Sequence, residues 1–289
     1  MENILSLKNV AKEYKDFTLD HVTFDLPKGV VLGMIGENGA GKSTCISAIL
    51  DMIRLDGGEI KIFGEDHHTA GKAVREKIGI VIDGINQIPY FNCKDLDAVY
   101  RKIYRHWSSE KFHTCLEKFR LPKEKPTKEF SKGMNVKLNF AIALSHGAEL
   151  LLLDEATSGL DPVMRDEILE LLQEFLLDET HSVLISSHIT SDLDKIADYL
   201  LFLHEGKIRF LKSMEEVQNN YGILTCGKDL FESIAGEDYD AYIEETFSYR
   251  LLINNRTELQ QHIHGLTIEH ATIEDIMLFY IKGVLPCQD

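Results

Sequence analysis

"VVLGMIGENGAGKST", Val30 to Thr44, decides how this chain is read. Its first half, Val30 to Gly36, is a continuous apolar run, the pattern of a strand buried on both faces. Its second half fits G-x-x-x-x-G-K-[ST] through Gly36, Gly41, Lys42 and Ser43. "CISAILDMI" follows, with apolar residues at helical spacing. Strand, glycine-rich loop and helix in that order are the context a phosphate loop needs. Glycines let backbone N–H groups turn inward around phosphate, and the helix start adds the positive end of its dipole. The loop residues expected against a nucleotide are Gly36, Asn38, Gly39, Ala40, Gly41, Lys42, Ser43 and Thr44. Lys42 is expected to reach the β- and γ-phosphates, and the Ser43 hydroxyl to ligate Mg²⁺. A glycine-rich turn with a chance lysine leaves the flanking strand and helix unexplained.

Outward from that loop, "LLLLDE" (Leu150 to Glu155) supplies its partner. Four aliphatic residues make a buried strand, and Asp154 emerges at its C-terminal edge, where parallel sheets place ligands. Asp154 is expected to hold Mg²⁺ through water, and Glu155 to polarise an attacking water. An acidic helix cap is the plain alternative, and it loses ground beside a phosphate loop. "ILSLKNV" and "FTLDHVTFDL" alternate like half-buried strands, and "EIKIFG" and "KIGIVID" read as further strands. From about Gly84 to Gly147 the texture is helical. There "KDLDAVYRKIYRHW" places Leu96, Tyr100, Ile103 and Trp107 on one face, and "SSEKFHTCLEKFRLP" runs from a serine cap to Pro122. Strands return with "ELLLLDE", "SVLISSH" and "YLLFLHEGKIRFL", separated by helices over Pro162 to Asp178 and "SDLDKIA". The expected architecture is mixed α/β over residues 1–213 with a helical insert at about 84–147. Residues 214–289 read as a small accessory extension.

Composition narrows the function. The net charge is −16 over 289 residues, and the last 76 carry 14 acidic against four Lys and Arg residues. Nucleic-acid binding is dominated by Lys and Arg on phosphates, so no nucleic-acid partner is expected. No apolar run approaches the roughly 20 residues that span a bilayer. The first residues lack the basic and apolar regions of a secretory signal. Five scattered cysteines, none in C-x-x-C spacing, fit free thiols and give no metal pattern.

Taken in order, these motifs resemble the ATP-binding cassette (ABC) family, the nucleotide-hydrolysing subunits of membrane transporters. The resemblance covers about Ile4 to Ser213. "FSKGM" (Phe130 to Met134) stands at the family's signature turn, between the phosphate loop and Asp154–Glu155. "SGLD" (Ser158 to Asp161) stands at its dimer-spanning loop, and "SSH" brings His188 to its switch histidine. Tyr14 lies where the family stacks an aromatic ring on adenine, with Phe17 a second ring nearby. The resemblance implies a P-loop NTPase (RecA-like) core with an antiparallel β subdomain, ATP and Mg²⁺ as cofactors, and catalysis by Lys42, Glu155 and His188. Ser131, Gly133 and Asp161 would act on a nucleotide held by a second cassette, identical or different. Ser131 also reads as a helix cap, and Asp161 as a cap before Pro162.

Departures from the family pattern are specific. Asp83 stands where the family usually has Gln, and is expected either to bind Mg²⁺ or to add charge beside Asp154; Gln87, four residues on, is a substitute. Lys132 and Met134 replace the usual glycine and glutamine of the signature, and Ala156 replaces a proline. An acidic residue in place of Gln and a G-M signature are found in ABC-2-type exporters of antibiotics and peptides. The chain looks most like that branch, including phenol-soluble-modulin-type cassettes. That implies an ATPase on the cytoplasmic face of the membrane, attached to a transmembrane permease. Tyr100, Tyr104 and Trp107 are a docking patch or, equally, helix–helix core. The competing functions are a soluble ABC ATPase on nucleic acid or ribosomes, and a degenerate regulatory cassette. The first is disfavoured by acidity, by one cassette per chain and by an insert too short for a long coiled coil.

Overall fold

Alternating and continuous apolar runs sort into different sheets in the computed structural model, which describes residues 2–84, 86–262 and 267–286. Contacts divide the chain into two units, Met1–Leu211 and Lys212–Asp289. In chain order the first unit opens with β1 (Asn3–Glu13), β2 (Thr18–Pro27), β3 (Val31–Ile35) and α1 (Lys42–Ile49). Next come β4 (Gly57–Ile62), β5 (Glu65–Asp66), α2 (Lys72–Arg75) and β6 (Ile78–Ile82). The helical stretch comprises α3 (Cys93–Ile103), α4 (Ser109–Lys118) and α5 (Lys132–Ser145). Then come β7 (Leu150–Asp154), α6 (Pro162–Phe175), β8 (Ser182–Ser186), α7 (Thr190–Ile196) and β9 (Tyr199–His204), and the unit ends within β10 (Lys207–Ser213).

The alternating strands form one antiparallel sheet in the order β2-β1-β4-β5. Leu5, Leu7, Leu19, Val22, Phe24 and Leu26 are buried, with half-buried or exposed residues between them, which gives the sheet one core face. The continuous runs form a second sheet in the order β10-β9-β3-β8-β7-β6. Within it β3 runs parallel to β8 and β9, and β7 parallel to β6 and β8. Every residue of β3, β7 and β8 is buried, as a parallel sheet covered on both faces demands. Each fully buried aliphatic side chain contributes about 1.5–3 kcal/mol, so these short strands anchor the unit. Parallel packing also brings their C-terminal ends to one edge, which is where the motifs fall.

The helical insert departs from the sequence pattern at one place. The helix expected through Trp107 stops at Ile103, because Tyr104 turns extended at φ −97, ψ 129. Trp107 folds back, its ring 5.4 Å from Tyr100 and its Nε1–H donating to Asp97 at 2.7 Å. Ser108 then caps α4 by accepting from the Lys111 N–H at 3.1 Å. Ile103, expected on the packed face, is 46% exposed. Tyr104 stacks on the buried His146 at 4.2 Å, so the three rings largely serve packing inside the insert.

The second unit contains α8 (Met214–Asn220), β11 (Gly222–Cys226), α9 (Lys228–Phe231), β12 (Tyr239–Glu244), β13 (Tyr249–Ile253), α10 (Arg256–His262), β14 (Ile268–His270) and α11 (Ile273–Lys282). Its strands form an antiparallel sheet, β12-β13-β11-β14, with a core of its own around Leu224, Leu251, Ile253 and Ile268. Asp240 accepts hydrogen bonds from the hydroxyls of Tyr221 and Tyr280, at 2.6 and 2.7 Å, and from Asn254 at 2.6 Å. That carboxylate ties α11 to the sheet.

Candidate functional site

The phosphate loop leaves the middle of the parallel sheet and enters α1 with Gly41 at φ 110, a left-handed conformation that glycine adopts without strain. A Cβ on Gly41 would come within 2.8 Å of Phe17, and one on Gly36 within 2.3 Å of the Leu203 carbonyl oxygen. Both positions are therefore closed to side chains. Lys42 is 6% exposed. Its ammonium donates to the Gly36 and Glu37 carbonyls at 2.8 and 3.2 Å and stands 3.5 Å from Glu155 Oε1. The loop borders a 500 Å³ cavity that Asn38, Gly39, Ser43, Thr44, Glu155 and Phe17 help to line. Ala40 is buried instead, its carbonyl accepting from the Gly206 N–H at 3.0 Å.

The ends of β7 and β8 build the acidic side. Register sets Asp154 opposite Ser186. The Ser186 hydroxyl donates to Asp154 Oδ1 at 2.5 Å and accepts from the Glu155 N–H at 3.1 Å. Asp154 is thereby fixed while buried. Glu155 takes φ 52, which turns its side chain out of strand register. One Glu155 oxygen faces Lys42, and the other is hydrogen-bonded to His188 Nδ1. Lys42 and Glu155 line the cavity, and His188 joins them through Glu155, so the three form one connected chain of charge and hydrogen bonding. Ser186 was missed by reading motifs alone, although its place at the end of a buried strand, as the first residue of "SSH", marked it.

The remaining predicted residues distribute as follows. Tyr14 is 46% exposed and lies beside Phe17, with ring centroids 6.4 Å apart; Phe17 is the ring that lines the cavity. Ser131 caps α5 by accepting from the Met134 N–H at 3.2 Å, and Asp161 caps α6 by accepting from the Met164 N–H at 3.0 Å. A Cβ on Gly133 would lie 2.1 Å from Met164 Cε, so this glycine also makes room for α6. Asp83 does not line the phosphate-loop cavity; it is ion-paired with Lys132 at 2.9 Å and borders a separate 410 Å³ cavity. Gln87 is engaged elsewhere, donating to Asn139 at 2.8 Å and accepting from the Tyr100 hydroxyl at 2.6 Å. A larger, 860 Å³ cavity between α4, α5 and the end of α6 holds none of these groups.

Mg²⁺ fits this donor set. The ion keeps water and phosphate oxygens and takes only one or two protein ligands. Ser43 offers a hydroxyl at the cavity and Asp154 a fixed, buried carboxylate. Among the described residues no group of three or more His, Cys, Asp or Glu is arranged to hold a metal by itself.

A phosphate loop on a parallel sheet, facing a strand-end Asp–Glu pair and a histidine, defines a P-loop ATPase. Comparison with known proteins gives the family. Residues 19–158 match the ABC transporter family. The chain is 32% identical to the bacitracin transport ATP-binding protein BcrA of Bacillus licheniformis, over 72% of this chain and 69% of that protein. It is 35% identical to the lantibiotic transport ATP-binding protein SrtF of Streptococcus pyogenes, over 75% of this chain and 96% of that one. A solved structure of an ATP-binding subunit of an ABC transporter superimposes with a TM-score of 0.68, at 24% identity, over 74% of this chain and 92% of the other. The chain belongs to the ABC transporter ATP-binding family and has its mixed α/β fold.

Proposed function

We propose that this chain hydrolyses MgATP to drive export of a peptide, antibiotic or other amphipathic substrate through a separate transmembrane permease. The connected Lys42–Glu155–His188 chain carries this reading. Lys42 draws the β- and γ-phosphates into the loop, where inward N–H groups share their charge. Ser43 and Asp154 would hold Mg²⁺, which neutralises phosphate charge when bound. Glu155, at the cavity and hydrogen-bonded to His188, accepts the proton of the attacking water. His188 keeps that carboxylate oriented and contacts the γ-phosphate. Phosphoryl transfer needs positioning and charge stabilisation more than covalent help, which suits such a site.

A second cassette completes the picture. Ser131 and Gly133 start α5 and would present its N-terminus to a γ-phosphate held by the partner copy. Asp161 would cross the same interface. Among the described residues no helix is long and apolar enough to cross a membrane. Names of the transport relatives support an antibiotic or peptide cargo, and the acidic Asp83 with the G-M signature supports the export branch and the cytoplasmic face.

The test is isolation of the native complex after mild membrane solubilisation. A membrane subunit should co-purify with the full-length chain and stimulate its ATPase activity. Recovery with ribosomes or DNA, and no membrane protein, would refute transport in favour of the soluble alternative.

A further inference from the structure

Two residues depart from the family pattern with opposite charges, and the fold brings them together. Asp83 follows β6, and Lys132 opens α5. The Lys132 ammonium stands 2.9 Å from one Asp83 carboxylate oxygen and 3.0 Å from the other. The lysine arm runs over Gly159, between β7 and α6, where a Cβ would meet its Nζ at 3.2 Å. The Asp83 N–H donates to the Asp154 carbonyl at 3.0 Å, so Asp83 is bonded directly to the strand end that carries Asp154 and Glu155. An unpaired carboxylate there would be a third negative charge on the edge that must receive a polyanionic nucleotide. Exposed charges act on one another within about a Debye length, about 10 Å at 0.1 M salt, and the Asp83 backbone is hydrogen-bonded to that strand end. The usual residues at these two positions, Gln and Gly, are both neutral. The Asp–Lys pair keeps the same net charge.

We propose that Asp83 and Lys132 are a positioning pair for the nucleotide site. Lys132 cancels the charge that Asp83 brings to the Asp154 edge, and Asp83 holds the signature turn against the core of its own subunit. The inference rests on the reading that Lys42 and Asp154 receive MgATP. Under it Asp83 is not a magnesium ligand, because both its oxygens are held by Lys132. The two side chains are 39% and 47% exposed, so the pair is screened and its effect is a modest one.

The experiment is a double-mutant cycle on the full-length chain: Lys132→Gln, Asp83→Asn and both together. Equilibrium binding of a fluorescent ATP analogue is read at low and at high salt, with Mg²⁺ titrated separately. Lys132→Gln should weaken nucleotide binding about two- to fivefold when Asp83 is present, the range expected for a part-exposed pair. Asp83→Asn alone should tighten binding by a similar factor, the neutral double variant should return to within about twofold of the wild type, and these shifts should vanish at high salt. Half-saturation by Mg²⁺ should stay within about twofold in Asp83→Asn, whereas loss of a ligand would cost about tenfold or more. A double variant that binds as weakly as Lys132→Gln alone would overturn the pair. So would a tenfold rise in the Mg²⁺ requirement of Asp83→Asn. Lys42→Ala separates the underlying reading: it should abolish analogue binding, and undiminished binding would overturn the nucleotide site rather than the pair.

Discussion

Replacing Glu155 with Gln separates its two jobs, proton acceptor and counter-charge. Lys42 is buried, and Glu155 is the carboxylate 3.5 Å from its ammonium. At an effective dielectric near 20, attraction at that distance is about 5 kcal/mol before desolvation. Truncating one member of such a pair costs about 3–5 kcal/mol. Gln keeps the shape and a hydrogen-bonding oxygen, so the loss in nucleotide-free protein should be smaller, about 1–3 kcal/mol. For a unit of this size that lowers the melting temperature by roughly 2–10 °C. Added MgATP supplies new negative charge to Lys42, so nucleotide should stabilise the variant more than the wild type. Turnover should fall by about 10²–10⁴, the range for a lost general base. The assay is thermal melting with and without MgATP, alongside phosphate release. Equal melting of the two nucleotide-free proteins would refute the counter-charge argument. Unchanged phosphate release would remove Glu155 as the base.

Further outcomes follow from other contacts. Gly133→Ala forces the flexible end of the half-buried Met164 side chain aside from 2.1 Å, while alanine in the helix gains about 0.5–1 kcal/mol, so urea unfolding should change by less than about 1 kcal/mol, and the same change in a Met164→Ala chain should be stabilising; equal effects in both chains would break the link. Burial holds the His146 imidazole below its ordinary value of 6.5, while its Nδ1 bonds the Glu76 carbonyl oxygen. The unfolded chain therefore takes up this proton first, so stability is full above about pH 6.5 and declines as pH falls below it. Melting curves of His146→Gln should show a shallower decline on the acid side, and identical slopes would exclude His146 as a source. Burial pushes the Cys45 thiol up to about 12, so a thiol reagent at pH 8 should leave it unlabelled until the protein unfolds. Labelling of native protein, mapped by mass spectrometry, would contradict that burial.

What could be read in advance divides along a physical line. Val31–Ile35, Leu150–Asp154 and Ser182–Ser186 announced themselves because strands buried on both faces are continuously apolar. Lys42, Asp154, Glu155 and His188 could be located because each stands at the end of one of those strands or in the loop after it. The break at Tyr104 was hidden, since Leu96, Tyr100, Ile103 and Trp107 keep helical spacing across it; ring stacking and the Trp107–Asp97 bond, not local propensity, decide it. The Asp83–Lys132 pair joins residues 49 positions apart, which no local pattern can show. Its trace in the sequence was two opposite charges where the family pattern has none. The contact of Met164 with Gly133 left no trace, because nothing in a methionine three residues into a helix specifies what it leans on.

The position of β6 at the outer edge of the parallel sheet has one more consequence. Parallel neighbours need a crossover of about a dozen residues or more between them, and the whole helical insert is the crossover from β6 to β7. It leaves and re-enters through the last two strands, while Lys42 hangs from β3, three places inward. The main seam that an exchanged insert must reproduce runs along α5, where Ala143 closes over Gly79 of β6. The crossover is thus a natural grafting unit. A chimaera carrying a relative's α3 to α5 would keep Lys42, Asp154, Glu155 and His188, which all lie outside the insert, and would replace Lys132 and with it the pair to Asp83.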